Sequence, residues 1–96
     1  MKIIRTSKAS ADLVRIYRYV AGHNKDAALR LIRQMDAAFL HLRDFPQTGA
    51  PRRELGRELR GRIVGYHHVT YRLEPGSVVI LRVIDGRMDI ETEFFR

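Results

Sequence analysis

Val78-Val79-Ile80-Leu81-Arg82-Val83-Ile84 is apolar throughout except at Arg82 and rich in β-branched residues. A short run of this kind, bounded by turn signals, reads as a strand buried on both faces at the centre of a sheet. Immediately before it, Glu74-Pro75-Gly76-Ser77 has turn composition. Before that turn, Tyr66 to Leu73 alternates with a period of two, and Leu59 to Val64 is a further candidate strand. Three strands in succession with short connections predict an antiparallel sheet.

Upstream the period changes. Leu13, Ile16, Tyr17 and Val20 fall on one helical stripe, with Asp12, Arg15 and Arg18 off it. Ser7 is a plausible N-cap, so the first helix is expected from Lys8 to Ala21. Gly22 offers a stop and Asn24 a new N-cap, with Asp26 in the first turn, where a carboxylate favours the helix dipole. In the second helix Ala28, Ile32, Met35, Phe39 and Leu42 step by four and three, Leu29 and Leu40 widen the stripe, and Phe45-Pro46 ends it. Lys2 to Arg5 reads as a strand before the first helix, and residues 46 to 56 as an exposed basic connection. The tail from Arg87 to Arg96 fits a closing strand, a short helix or a frayed end. The expected fold is α+β, ordered β-α-α-β-β-β, with a helical hairpin on one face of a small, mainly antiparallel sheet, forming a single domain over residues 1–96.

The chain has 96 residues, 18 Lys and Arg against 11 Asp and Glu, and a net charge of +7. That surplus suits nucleic acid, ribosomes or acidic proteins. Arginine supplies 15 of the basic residues, which fits either selection for bidentate contacts or a GC-rich genome. With no cysteine there is neither a disulfide framework nor a thiolate metal site. The N-terminus lacks an apolar signal-peptide core and Arg82 interrupts the longest apolar run, so the expectation is a cytoplasmic protein without a membrane span.

His23, His41, His67 and His68 have no metal-ligand spacing, and neighbouring His67 and His68 on a strand point to opposite faces. No cofactor is expected. Ser7, Ser10 and Ser77 lack any nucleophile motif, and the glycines of Gly61-Arg62-Ile63-Val64-Gly65 read as bends in the sheet. The more informative set is Arg52, Arg53, Arg57, Arg60, Arg62, Arg72, Arg82 and Arg87. A charge inside a central strand is costly unless its face is open or the charge is paired. The expectation drawn from Arg82 is a partly open concave face. Alternation puts Ile80 and Ile84 on that face and turns Leu81 and Val83 toward the helices. Tyr66, His68, Thr70 and Arg72 are then its exposed companions.

Several stretches together resemble the ParE and RelE superfamily of toxins from bacterial type II toxin-antitoxin systems. They are Ala11-Asp12-Leu13 with Ile16-Tyr17 and Tyr19-Val20, Phe45-Pro46 with Gly49, and Glu58-Leu59-Arg60. His68-Val69-Thr70-Tyr71-Arg72 and Val79 to Ile84 followed by Gly86-Arg87-Met88-Asp89 complete the set. The likeness spans nearly the whole chain, and the Arg-Met-Asp ending resembles the ParE branch.

The resemblance implies a toxin that arrests growth by binding DNA gyrase and trapping its cleavage complex, with no chemistry of its own. Arg60, Arg62, Arg82, Arg87 and Met88 are the expected target contacts. It further implies a hetero-oligomer with a ParD-like antitoxin, whose acidic arm would lie on Leu13, Tyr17, Val20 and Leu29. The alternative is a RelE-type endoribonuclease acting on messenger RNA in the ribosome, with His67, His68, Arg82 and Arg87 as the catalytic set. A metal-free ribonuclease needs acid-base groups and several cations. Where RelE-like toxins tend to carry Tyr or His near the end of the chain, Phe94 and Phe95 stand here and cannot transfer protons.

Overall fold

The computed structural model describes residues Met1 to Arg96. Along the chain run β1 (Lys2–Arg5), α1 (Ser7–Ala21), α2 (Lys25–Asp44), β2 (Ala50–Pro51), β3 (Leu59–Val64), β4 (His67–Glu74), β5 (Ser77–Asp85) and α3 (Ile90–Phe94). The strands form one sheet in the order β1-β5-β4-β3-β2, with β1 parallel to β5 and the remaining pairs antiparallel. The α+β fold is therefore as expected. The apolar run lies in β5, between β1 and β4, which explains its lack of polar alternation.

Local signals set most element ends. Asn24 caps α2 by accepting from the Ala27 N–H at 3.0 Å. The Gly22 N–H closes α1 on the Arg18 carbonyl at 3.1 Å, and α2 ends at Asp44, before Phe45-Pro46. The cap of α1 is Thr6 rather than Ser7. Its hydroxyl accepts from the Ala9 N–H at 3.1 Å and donates to the Leu81 carbonyl at 2.9 Å, so one side chain starts the helix and ties it to β5. The expected featureless connection contains the two-residue strand β2, paired with Gly61 and Arg60. The tail is a short helix, capped by Asp89, which accepts from the Thr92 N–H at 3.2 Å.

Twelve buried residues fill the layer between hairpin and sheet: Ala9 and Leu13 from α1, Met35, Ala38, Phe39 and Leu42 from α2, and Val64, Val69, Tyr71, Val78, Ile80 and Val83 from the strands. Burying each of the larger side chains contributes about 1.5–3 kcal/mol. Leu29 and Leu40 do not widen this stripe inward; they stay 44% and 49% exposed.

The alternation expected for β5 also needs correction. Thr70 pairs with Arg82 but Tyr71 pairs with Ile80, so Leu81 is an extra residue on β5. This bulge re-phases the strand, and the core takes Ile80 and Val83 instead of Leu81 and Val83. Residues directly opposite in antiparallel strands share a face. Leu59, Gly61, His68, Thr70, Val79, Arg82 and Ile84 consequently lie on the side away from the hairpin. That side is covered too, because His68, Thr70, Val79, Arg82 and Ile84 are all buried. Arg52 folds back over Gly61 and His68, Leu55 is buried beside it, and α3 packs on β5. No helix is long and apolar enough to cross a membrane.

Candidate functional site

The open concave face inferred from Arg82 is absent, because the charge is paired instead of solvated. β1 ends opposite Ile80, and beyond it the free edge of β5 is met by Asp12 of α1. The Asp12 carboxylate accepts from Arg82 Nε at 2.8 Å, Arg82 Nη2 at 3.1 Å, the Val83 backbone N–H at 2.9 Å and Arg15 Nη2 at 2.7 Å. Burial pushes its pKa up, but these donors outweigh burial and hold the carboxyl below its ordinary value. Arg82 also donates to the Glu93 carbonyl at 2.6 Å and the Phe94 carbonyl at 3.3 Å. One guanidinium thus joins α1, β5 and the end of α3. Sequence patterning missed Asp12, which lies off the apolar stripe of α1 yet is 2% exposed.

His68 is buried against Arg52, whose Nη1 faces its Nε2 at 2.5 Å. Arginine can only donate, so Nε2 accepts and the ring is neutral, with its proton on Nδ1 near Thr70 Oγ1. Burial first, then the Arg52 charge, pulls the His68 pKa down, with Glu54 opposing. Gly61 leaves room for this arrangement: a Cβ there would stand 2.9 Å from Arg52 Cγ and closer still to the imidazole. His67 points to the opposite face, as adjacent strand residues must. It is half-buried, its Nδ1 has no hydrogen-bond partner, and burial lowers its pKa against the pull of Asp85. The structure therefore does not bring His67, His68, Arg82 and Arg87 together around one accessible point.

Arg60 and Arg62 lie on the hairpin side of β3, with Tyr71 and Val69 as their β4 partners. Arg60 donates to the Gly49 carbonyl at 2.8 Å and Arg62 to His41 Nδ1 at 2.6 Å. Arg87 and Met88 lie in the loop after β5, at the strand end that also carries the β3–β4 turn. Asp85 grips Arg87 through Nε at 3.1 and 3.2 Å and through Nη2 at 2.6 Å, and this contact first of all lowers the Asp85 pKa to about 2. The Gly86 N–H donates to the Tyr66 carbonyl at 2.7 Å, tying the β3–β4 turn to this loop. Tyr66 is 82% exposed, the Arg87 side chain 80% and Met88 49%. An exposed Tyr, Arg and Met side by side form the kind of surface enriched in protein interfaces. Sequence reasoning singles out Arg87 and Met88 as target contacts; it expects Tyr66 to be exposed, as it is, but does not count it among the contacts.

On the hairpin, Leu13 is a core residue, Tyr17 and Val20 are half-buried and Leu29 is exposed. A shallow groove of about 490 Å³ runs instead along Ser10, Ala11, Val14, Arg15 and Arg18.

Comparison with known proteins places this geometry among toxins. The family model described as the ParE toxin of the type II toxin-antitoxin system parDE matches residues 3–90. Toxin ParE3 of Caulobacter vibrioides is 39% identical over 94 residues, covering 96% of this chain and 93% of that protein. A solved structure of the chromosomal ParDE system from P. aeruginosa superposes with a TM-score of 0.74 at 25% identity, covering 88% of this chain and 95% of that one.

Proposed function

The chain belongs to the ParE toxin family of type II toxin-antitoxin systems, and from that premise we propose that it arrests growth by binding DNA gyrase in the cytoplasm and trapping its cleaved DNA complex. The observation that carries this reading over a ribonuclease is the state of His68 and Arg82. Both are buried, at 3% and 8% exposure, and both are engaged inside the fold. A general acid or base must reach the proton it moves, and a phosphate-stabilising cation must reach the phosphate. Phe94 and Phe95 supply no proton-transfer group.

The target contacts are Arg87 and Met88, joined by Tyr66, with Arg60 and Arg62 further along on β3. Arg82 contributes from within, by holding α3 against β5. A ParD-like antitoxin neutralises the toxin in a hetero-oligomer. Its acidic arm is steered by the net charge of +7 and engages the hairpin at Tyr17, Val20 and Leu29. Leu13 supports that surface from the core beneath.

Purified gyrase acting on supercoiled plasmid, run beside a ribosome-programmed messenger RNA cleavage assay on the same preparation, tests the proposal. Linear DNA that accumulates and is suppressed by antitoxin, with intact RNA, is the expected result. Cut RNA with untouched gyrase would replace it with the ribonuclease reading.

A further inference from the structure

At the β2 end of the sheet, a cavity of about 520 Å³ is lined by Pro51, Arg53, Arg57, Glu58, Leu59 and Arg60. Three guanidiniums and one carboxylate leave it two positive charges in surplus. We propose that this cavity is a phosphate-binding site for the backbone of nucleic acid, through which the free toxin holds DNA.

Four features support the assignment. Arg53 and Arg57 are exposed and form no salt bridge, and Glu58 does not neutralise them, whereas their neighbour Arg52 is taken up by Glu54 and His68. Arg60 is pinned by Nη1 alone, to the carbonyls of Gly49 at 2.8 Å and Gln47 at 3.4 Å, which leaves its Nε and Nη2 donors free. The segment carrying the arginines is held in shape. Leu55 is buried, the Arg52 N–H reaches the Leu59 carbonyl at 2.8 Å, and the Leu55 N–H reaches the Arg52 carbonyl at 3.1 Å. Finally, Glu58 sits at φ 65°, a left-handed conformation that a non-glycine residue adopts at a cost.

The occupant follows from the lining. An amphipathic acidic peptide needs apolar surface for its other face, and only Pro51 and Leu59 here are uncharged. A single carboxylate is satisfied by one arginine fork, whereas separated guanidiniums match the repeated charges and oxygens of a phosphodiester backbone. The inference goes beyond gyrase binding, and its test contains no gyrase, so either reading can fail without the other.

Fluorescence anisotropy of a labelled duplex DNA, titrated with the full chain at several salt concentrations, makes that test. The Arg53→Gln/Arg57→Gln variant should bind roughly tenfold more weakly, with the slope of log affinity against log salt shallower by about two. A control with the same net charge, Arg30→Gln/Arg33→Gln on the exposed face of α2, should stay within about twofold of the parent. Glu58→Gln should tighten binding. Equal losses in the two arginine pairs would reduce the site to diffuse charge. Unchanged affinity in Arg53→Gln/Arg57→Gln would remove it. Binding of a labelled glutamate-rich peptide that depends on Arg53 and Arg57, with no such dependence for DNA, would assign the cavity to protein carboxylates. Circular dichroism of each variant confirms that it is folded.

Discussion

Asp12 and Arg82, seventy residues apart in the chain, meet at the edge of β5 through hydrogen bonds of 2.8 and 3.1 Å. The pair is nearly dry, with side chains 2% and 10% exposed. Removing one partner leaves the other charge buried without compensation, which costs about 3–5 kcal/mol. Arg82→Met and Asp12→Asn should therefore each lower the urea midpoint of unfolding sharply. The double variant Asp12→Asn/Arg82→Met should recover much of the loss, since it leaves no charge to desolvate while the Asn amide oxygen still accepts from the Val83 N–H. Arg82→Met should also speed proteolytic trimming of the C-terminus, because the Glu93 and Phe94 carbonyls lose their donor. A double variant no better than the singles would show that the ion pair is net stabilising.

Tyr71 makes a second long-range tie. Its hydroxyl donates to the Pro46 carbonyl at 2.8 Å and accepts from the Gly49 N–H at 2.9 Å, fixing the chain that leaves α2 onto the middle of β4. Tyr71→Phe should cost about 1–3 kcal/mol in thermal unfolding, the range for stranding buried polar partners. Gly49→Ala should be comparably damaging, since its Cβ would stand 2.9 Å from the Gly61 carbonyl oxygen and closer still to the Tyr71 ring. Wild-type stability in both variants would mean that this segment is not held by Tyr71.

These two ties also mark where the sequence stops being legible. Helices and strands follow from local periodicity, and the apolar centre of β5 follows from Val78 to Ile84. Arg82 raised the right question, since a charge in a central strand needs either water or a counter-charge. Nothing local pointed to Asp12, whose partner is set by how α1 crosses the end of β1. The bulge at Leu81 has no composition signal, yet it decides that Ile80 and Val83 face the hairpin. His68 and Thr70 looked exposed for a related reason: strict alternation cannot foresee that Arg52, Leu55 and α3 fold over the second face.

Tyr66 and Arg87 test the target surface. Neither is packed into the core, so Tyr66→Ala and Arg87→Ala should leave the thermal midpoint nearly unchanged. Each should weaken inhibition of gyrase in the plasmid assay roughly tenfold, the loss expected on truncating an aromatic or arginine anchor. Normal potency with both residues removed would move the contact elsewhere, toward Arg60 and Arg62.

The buried histidines predict how stability depends on pH. Burial and Arg52 hold His68 below its ordinary 6.5, and burial does the same to His67, where Asp85 pulls the other way and Arg87 adds to the depression. Between the folded value and 6.5 the unfolded chain binds more protons than the folded one, so stability rises with pH. It is complete above 6.5, falls as the pH drops through 6.5, and levels off below the folded values. Each histidine contributes at most about 1.4 kcal/mol per pH unit to that slope. Asp12 adds a separate loss at lower pH: its carboxyl is held below 3.8, so its contribution is present above that value and disappears as the pH falls through the folded one. Urea midpoints measured from neutral pH down to about 4.5 isolate the histidine region. His68→Gln, which keeps an acceptor for Arg52, should flatten the slope there and leave the acid transition of Asp12 in place. An unchanged slope would mean that His68 takes up its proton equally in the folded and unfolded chain, against the geometry in which Arg52 must donate to its Nε2.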